Sequence, residues 1–255
     1  MARPLAHGDQ MEDLIESVSK YDPAFKGRIV GASADEVTDF QKAVGQSLPT
    51  AYKTYLRHMG KNDGGLRVFE DCDHNVRHLW AYYREVANEH PAEPAAPEGC
   101  AVVAFRGKEV EEIYLGLGDK TDGPLYWGED WSNFGQMATS FSKRLEGVAL
   151  WYSQTSGPLS PFRMVSTVLL REPGRLLKQI SRVALAQGFE RLEFSDSFSF
   201  CGKLDDAVVM AHQWEKARCR LAVASGKKPR TDAIVRKLTK GFSASPNKAA
   251  IERSL

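Results

Sequence analysis

The sequence predicts a protein of the α+β class, and three observations carry this prediction. Apolar residues recur at helical spacing between residues 31 and 65. Short runs rich in β-branched and aromatic residues, separated by turn residues, follow between residues 101 and 128. After residue 162 the pattern changes to strand, helix, two strands and helix. Antiparallel strands and helices that follow one another in separate runs are typical of α+β folds.

The first predicted helix covers residues 10–21. Its apolar residues recur on one side, as expected for an amphipathic helix, and they are Met11, Leu14, Ile15 and Val18. We assign residues 1–30 to an N-terminal helical extension.

Two more helices are predicted between residues 31 and 65. Ser33 has the position of an N-cap, and Glu36 three residues later completes a capping box. Gly45 is placed to end the first helix, and Pro49 to begin the second at its first position. The apolar stripes of the two helices consist of Val37, Phe40, Val44 and Leu48, and of Tyr52, Tyr55, Leu56 and Met59.

This order of signals resembles the opening of the SMI1/KNR4, or SUKH, family: a short helix, a Leu-Pro, a helix with Tyr and Leu, then Asn and paired glycines before a strand. Residues 113–119 (IYLGLGD) resemble the central strand of that family, and residues 131–145 its closing helix. The resemblance implies a SUKH-like mixed sheet with flanking helices over residues 31–152. The Pro/Ala/Glu-rich segment 89–99 departs from the family's pattern.

The remaining elements follow from periodicity and turn chemistry. We expect Leu48, Tyr52, Leu56, Phe141 and Leu145 to share one core. Helices are predicted at 78–86 and 134–152, and strands at 66–70, 101–105, 112–117 and 125–128. Residues 153–161 (SQTSGPLSP) predict an exposed linker.

A small C-terminal α+β unit is predicted over residues 162–221. Its elements are a strand at 164–170, a helix at 173–187, a hairpin at 191–194 and 197–201, and a helix at 205–221. Apolar content then falls and Lys and Arg dominate, so residues 222–255 are predicted to be a basic, disordered tail.

Composition favours a cytoplasmic protein. The 255 residues include no apolar run near the roughly 20 residues that span a bilayer, so no membrane partner is expected. The beginning of the sequence lacks the apolar core of a signal peptide. The four cysteines are scattered without a CxxC motif, which fits a reducing compartment.

Charge is divided unevenly along the chain. Residues 1–155 hold 16 Lys and Arg against 24 Asp and Glu, a net charge of −8, and residues 156–255 hold 18 against 9, a net charge of +9. The acidic half disfavours contact with phosphates and suits a basic protein partner. The basic segment lacks interleaved aromatic residues, so no specific nucleic-acid binding is expected.

Catalytic signatures are absent from the sequence, which favours a non-enzyme without a cofactor. It contains no GxSxG, HExxH, GxxxxGK[ST] or GxGxxG motif. Cys72, His74 and His78 suggest a metal site, but no second Cys/His cluster completes a tetrahedral shell, so no metal is assigned.

A partner-binding surface is predicted where aromatic and acidic residues meet after the third strand of the meander. Trp and Tyr inside a charged rim are typical of interface hot spots. The alternative, slightly favoured, is that Tyr126 and Trp131 pack inward and only Trp127 is partly exposed. The proposed partner-binding residues are Asp119, Asp122, Trp127, Glu129 and Asp130.

The resemblance to the SUKH family implies a non-catalytic protein-binding module. Bacterial members of that family largely serve as immunity proteins that occlude a cognate toxin, often a nuclease, and the acidic half fits such a basic partner. A regulatory scaffold, as in the eukaryotic members, is the alternative, and an enzyme with a non-local site is a third. Compactness favours the first, because the long disordered arms expected of a scaffold are missing. The sequence leaves the oligomeric state open.

Overall fold

The protein has an α+β fold, as the sequence predicts. The structure is a computed structural model, and it describes residues 8–106, 111–128, 134–171, 176–215, 218–240 and 242. Within those residues the helices, in chain order, are α1 Gly8–Ser19, α2 Phe25–Arg28, α3 Ala34–Val44, α4 Thr50–Met59, α5 Val76–Glu89, α6 Phe141–Thr155, α7 Leu176–Ala186 and α8 Lys228–Thr239.

The strands of the described residues form three antiparallel sheets. The strands are β1 Ile29–Val30, β2 Asn62–Asp63, β3 Cys100–Arg106, β4 Glu111–Gly116, β5 Leu125–Gly128, β6 Phe134–Ala138, β7 Met164–Arg171, β8 Glu190–Arg191, β9 Ser199–Leu204, β10 Ala207–Glu215 and β11 Arg218–Ser225. β1 pairs with β2, β3 to β6 form a four-stranded meander, and the five-stranded sheet has the order β7-β11-β10-β9-β8.

The capping signals at α3 are confirmed. The Glu36 backbone N–H donates to the Ser33 hydroxyl at 3.2 Å, and the Ser33 N–H donates to the Glu36 carboxylate at 2.7 Å. Gly45 ends the helix with a φ of 75°, a left-handed conformation that glycine adopts without steric cost. Pro49 is the N-cap of α4 rather than its first helical residue.

The predicted first core is confirmed. Leu48, Tyr52, Leu56, Phe141 and Leu145 are all buried in one hydrophobic cluster. The Phe141 ring lies edge-on to both tyrosines of α4, with centroids 5.3 Å from Tyr52 and 5.2 Å from Tyr55. Aromatic pairs in this geometry add to the stabilisation from burial. Helix α6 is therefore fixed to α4 by its first residue.

The N-terminal segment belongs to this core rather than to a separate extension. The apolar face of α1 is buried in the same cluster. Behind it the buried Asp22 carboxylate accepts hydrogen bonds from Arg28 and from the Tyr152 hydroxyl near the end of α6. The hydrogen bond from Arg28 lowers the pKa of Asp22. An ionised carboxyl at this point links the N-terminal helices to α6.

A second core lies on the far side of the five-stranded sheet. Alternate side chains of β10 and β11, such as Val209 and Leu221, pack there beneath α7 and α8. The other face of the sheet meets α6 at Gly147, where an added Cβ would lie 3.6 Å from Phe194 and 3.7 Å from Cys201. The absence of a side chain at Gly147 lets the helix approach the sheet closely.

Two predicted helices differ from the structure. Residues 134–152 form β6 followed by the first part of α6, because Ser140 is the N-cap and the helix begins at Phe141, seven residues later than predicted. Residues 205–221 form most of the hairpin of β10 and β11. Both faces of that hairpin are covered, by α6 and by α7 and α8, and the apolar run of β10 at residues 207–211 lacks the polar alternation of a half-exposed strand.

Residues 66–70 form turns instead of the predicted strand. The Val68 N–H donates to the Asp63 carboxylate at 3.2 Å, and the Glu70 N–H donates to the Arg67 carbonyl at 2.9 Å. Arg67 and Glu70 have positive φ values of 60° and 57°, which a strand does not allow.

The predicted linker and tail also differ from the structure. Ser153, Gln154 and Thr155 are buried in the last turn of α6, and Ser160 is buried beside them, so only part of residues 153–161 is exposed. The prediction of a disordered tail from residue 222 is wrong as far as residue 240. β11 runs to Ser225, and α8 buries Thr231, Ile234 and Leu238 against the sheet. Residues 243–255 lie outside the described residues.

Candidate functional site

The loop of residues 117–124 carries Asp119 and Asp122, and it accepts hydrogen bonds from the N-termini of two helices, α4 and α6. The carbonyls of Lys120 and Thr121 accept hydrogen bonds at 2.9 Å from the N–H groups of Thr50 and Ala51, the first residues of α4. Pro49 has no side chain that could cap α4, so the loop supplies the acceptors.

Asp122 caps helix α6 from the same loop. Its carboxylate accepts hydrogen bonds from the N–H groups of Phe141 at 3.1 Å and Ser142 at 3.4 Å, in addition to that of Gly123 at 2.9 Å. A negative charge at a helix N-terminus also interacts favourably with the helix dipole. Asp122 therefore has a structural role that sequence reasoning missed, and its place in the partner-binding surface stays a prediction.

Asp119 remains available on the surface. Its carboxylate accepts a hydrogen bond from the Thr121 N–H at 2.7 Å, and its side chain is exposed. Glu129 and Asp130, which follow β5 in the sequence, lie outside the described residues. Of the five predicted residues, the structure therefore describes three, and it gives Asp119 and Asp122 different roles on one loop.

Trp127 lies in β5, directly opposite Ile113 on β4 and Gly135 on β6. It is half-buried against the first core. Tyr126 lies on the other face of the sheet, opposite Tyr114, and is also half-buried. The alternative prediction is that only Trp127 is partly exposed and that Tyr126 and Trp131 pack inward. It is correct for Trp127 and underestimates the exposure of Tyr126. Trp131 lies outside the described residues.

Two acidic residues at the start of β4 lie beside these aromatic side chains. Glu111 is on the same face as Trp127 by strand alternation, and its carboxylate pairs with Arg106 at 3.0 Å. Glu112, on the face of Tyr126, accepts hydrogen bonds at 2.5 Å from the hydroxyls of Tyr82 and Tyr114. We call this region the sheet tip, and it consists of Tyr82, Glu111, Glu112, Tyr126 and Trp127.

Sequence reasoning missed Tyr82, Glu111 and Glu112 as members of this surface. Tyr82 comes from α5, and its ring stacks on Phe105 of β3 with centroids 5.3 Å apart. The two glutamates precede the predicted strand or begin it, and alternation along β4 was the signal that could have placed them beside Trp127 and Tyr126.

The thiols of the chain are held in their unreactive form. All four cysteines are free, and burial raises the pKa of Cys72 to about 11 and those of Cys201 and Cys219 to about 12. Burial also raises the pKa of Cys100. A protonated thiol is a poor nucleophile and a poor metal ligand.

The residues that suggested a metal site take other partners. His78 Nδ1 lies 2.6 Å from the Asp73 carboxylate, and His74 Nδ1 lies 3.4 Å from the Cys72 carbonyl. Among the described residues, no three His, Cys, Asp or Glu side chains come together as a metal site would require.

A buried arginine lies where α6 meets the five-stranded sheet. The Arg144 guanidinium donates to the Val68 carbonyl at 3.1 Å and lies 3.7 Å from the Glu70 carboxylate. Arg220 of β11 reaches the same carboxylate at 3.4 Å. Burial lowers the pKa of Arg144. Glu70 thus links α6 to β11 of the five-stranded sheet, because it approaches both Arg144 and Arg220. The sequence pattern of α6 did not indicate this contact.

Glu146 faces like charges at the same junction. Burial, together with the nearby Asp122 and Glu193 carboxylates, raises the pKa of Glu146 from its usual 4.5 to about 7, and Lys143 opposes this shift. The group therefore changes charge near neutral pH while it lies against structural elements of both halves.

We expect Asp122→Ala to destabilise the protein by about 1–2 kcal/mol, because α6 loses an N-terminal acceptor. Asp122→Asn keeps an acceptor oxygen and should cost less. Asp119→Ala is the matched control, and its exposed position predicts a loss below about 1 kcal/mol. Urea unfolding of the three variants measures these differences. Equal losses for Asp122→Ala and Asp119→Ala would contradict the capping role.

We expect Glu146 to make stability fall as pH rises. Below about pH 4.5 the carboxyl is protonated in the folded and unfolded states, so nothing is lost. Between pH 4.5 and 7 the unfolded chain releases the proton first, and above pH 7 the folded protein holds a partly desolvated charge. Glu146→Gln should remove this dependence and raise the free energy of unfolding at pH 8 by up to about 3 kcal/mol.

Urea unfolding at pH 5, 6, 7 and 8 tests this expectation, with the exposed Glu98→Gln as control. The control should keep the wild-type profile. A Glu146→Gln profile parallel to that of the wild type would show that Glu146 does not titrate in this range.

The comparisons with known proteins identify no relative. No family model matches the chain, and no curated protein and no solved structure matches it either. No helix among the described residues combines the length and the apolar character needed to cross a lipid bilayer. A proposal for function therefore has to start from the sheet tip and from the charge of the chain.

Proposed function

We propose that this protein is a non-catalytic protein-binding module, an immunity protein that neutralises a cognate toxin with a basic surface. The observation that carries the proposal is the sheet tip, where two glutamates lie beside half-exposed Trp127 and Tyr126. Aromatic anchors within a charged rim are the residues that dominate binding energy at protein interfaces. The resemblance of residues 31–65 to the SMI1/KNR4 family supports the same class of function.

Several side chains that could act in catalysis are protonated, neutral or engaged in structural contacts, which supports binding over catalysis. The four thiols stay protonated at neutral pH. Asp22 and Asp122 bind an arginine and helix N–H groups, respectively, and burial holds His212 in its neutral form by lowering its pKa. Asp22 and Asp122 stabilise the fold, whereas the acids and aromatic rings of the sheet tip are half-exposed.

Charge gives the proposed partner its chemistry. The first 155 residues carry a net charge of −8, and the exposed or half-exposed acids of the sheet tip and Asp119 belong to that half. The active-site cleft of a nuclease is built to hold phosphates, so carboxylates can occupy it by mimicking the charge of the substrate. Complementary charge of this kind accelerates association and selects the partner.

The binding prediction applies to a candidate toxin domain with a basic surface, and any toxin-like domain encoded beside the gene of this chain would be the first to measure. Replacing Glu129 and Asp130 with lysine should slow association and reduce its dependence on salt, and Asp119→Lys should act in the same direction. Trp127→Ala should mainly accelerate dissociation. If the ring is a hot spot, the loss of binding free energy should be about 2 kcal/mol. Surface plasmon resonance at two salt concentrations measures both rates.

The matched control replaces Glu12 and Asp13 with lysine, since both are exposed on α1 and give the same change in net charge. This control should change association less than the reversal at residues 129 and 130. Equal effects of the two reversals, together with an unchanged dissociation rate in Trp127→Ala, would exclude Trp127 and residues 129 and 130 from the interface. Absence of binding by the wild-type protein would reject the proposed partner.

A further inference from the structure

The two edges of the five-stranded sheet differ in length and in charge. At one edge β8 contains only two residues, Glu190 and Arg191, and both are charged and exposed. At the other edge β7 extends over eight residues and carries no charge before Arg171. Natural sheets protect their edges with short strands and charges, and β7 has neither protection.

Among the described residues, the outer edge of β7 is unpaired. β7 pairs with β11 along its whole length, and no other described strand lies beside it. Residues 165–169 are half-exposed, and Met164 is 41% exposed. A long strand whose only charged residue is its last, and which has one unpaired edge, is a template for β-strand addition.

The helix layer over this sheet also ends at β7. α7 packs on β9 and β10, whereas α8 packs on β11 and β7, so each helix covers about two strands. Two strand spacings are about 10 Å, which is the distance at which neighbouring helices pack. The strand that would follow β7 is therefore expected to bring the next helix to the correct distance from α8.

We propose that the occupant of this edge is a second copy of the chain, whose β7 pairs antiparallel with the first. A two-fold axis perpendicular to the sheet then joins two five-stranded sheets into one continuous sheet of ten strands. The same axis brings the two α8 helices side by side, about 10 Å apart, and continues the helix layer without a gap.

The flank of α8 that would meet its copy is suited to this contact. Arg230 reaches the Asp206 carboxylate at the β9–β10 turn, with its Nε 2.9 Å from the nearer oxygen, so this flank of α8 faces α7. The opposite flank, toward the free edge, carries Asp232, Val235 and Thr239, at spacings of three and four residues. All three are half-buried, and Asp232 is already paired with Lys228 on the same helix.

Charge distinguishes the two central registers of the proposed strand pair. The two-fold axis keeps each face of the sheet continuous, so it must pass through a residue position rather than between two. An axis at Thr167 would place Arg171 opposite Arg163 of the second copy, and like charges directly opposite are unfavourable. An axis at Val168 places Arg171 opposite Val165 and Thr167 opposite Leu169.

The test measures the mass of the full-length chain by sedimentation equilibrium over a range of concentrations. Wild-type protein should be a dimer. Thr167→Glu and Leu169→Lys should each weaken the dimer by at least about tenfold, because each buries two charges opposite uncharged partners. An equimolar mixture of the two variants should recover the dimer, since Glu at 167 then faces Lys at 169.

Matched controls separate this interface from other effects. Glu190→Lys changes a charge at the opposite edge of the same sheet and should leave the dimer intact. Circular dichroism checks that Thr167→Glu and Leu169→Lys remain folded, and a variant that unfolds is replaced by Val235→Glu on the half-buried flank of α8. A monomeric wild-type protein overturns the proposal, and so does a dimer that persists in folded variants. A mixture that stays monomeric overturns the register.

Discussion

Burial of helix α6 on all sides is the constraint on which the rest of this structure depends. None of its 15 residues is fully exposed, and ten of them are buried. Phe141 and Leu145 pack into the first core, and Gly147 lies against the five-stranded sheet. A helix in this position couples the stability of the two cores. If α6 left its place, both cores would expose apolar surface to water.

Polar contacts fix the ends and the middle of α6. Asp122 accepts hydrogen bonds from its first N–H groups, and Tyr152 near its end donates to Asp22. Between them Arg144 is buried beside Glu70, which Arg220 of β11 also approaches. Only Arg144 of these three side chains is buried, so the ion pair contributes little net stability, but an arrangement that removed Glu70 would leave the buried Arg144 charge without its carboxylate. The same contacts that hold α6 therefore also fix how the two halves meet.

The sequence predicts the local signals of this fold well. The capping box at Ser33 and the left-handed Gly45 require particular residue types, and the buried stripe of α4 follows from periodicity. Strand prediction from polar alternation fails where both faces of a strand are buried. β10 is covered on both faces, so its apolar run at residues 207–211 does not alternate with polar residues, and the pattern predicts a helix there. The basic composition of residues 222–240 predicts a disordered tail, although α8 buries three residues there, Thr231, Ile234 and Leu238.

The candidate site is predicted in part. Trp127 was identified from its residue type and its charged neighbours, and it is half-exposed on β5. The role of Asp122 was not predictable, because its hydrogen-bond donors lie 19 and 20 residues away and are brought to it only by the fold. Tyr82 joins the sheet tip across 30 residues, through its hydrogen bond to Glu112. Contacts of this range leave no periodic signal in a single sequence.

The coupling of both cores through α6 is tested most directly by native-state hydrogen exchange. The amides of Leu56 in α4 and Val209 in β10 report on the first and second core, respectively. If α6 couples the cores, both amides exchange with the same free energy of opening, equal to that of global unfolding measured in urea. An opening free energy at Val209 that lies about 2 kcal/mol or more below that at Leu56 would show that the second core unfolds independently.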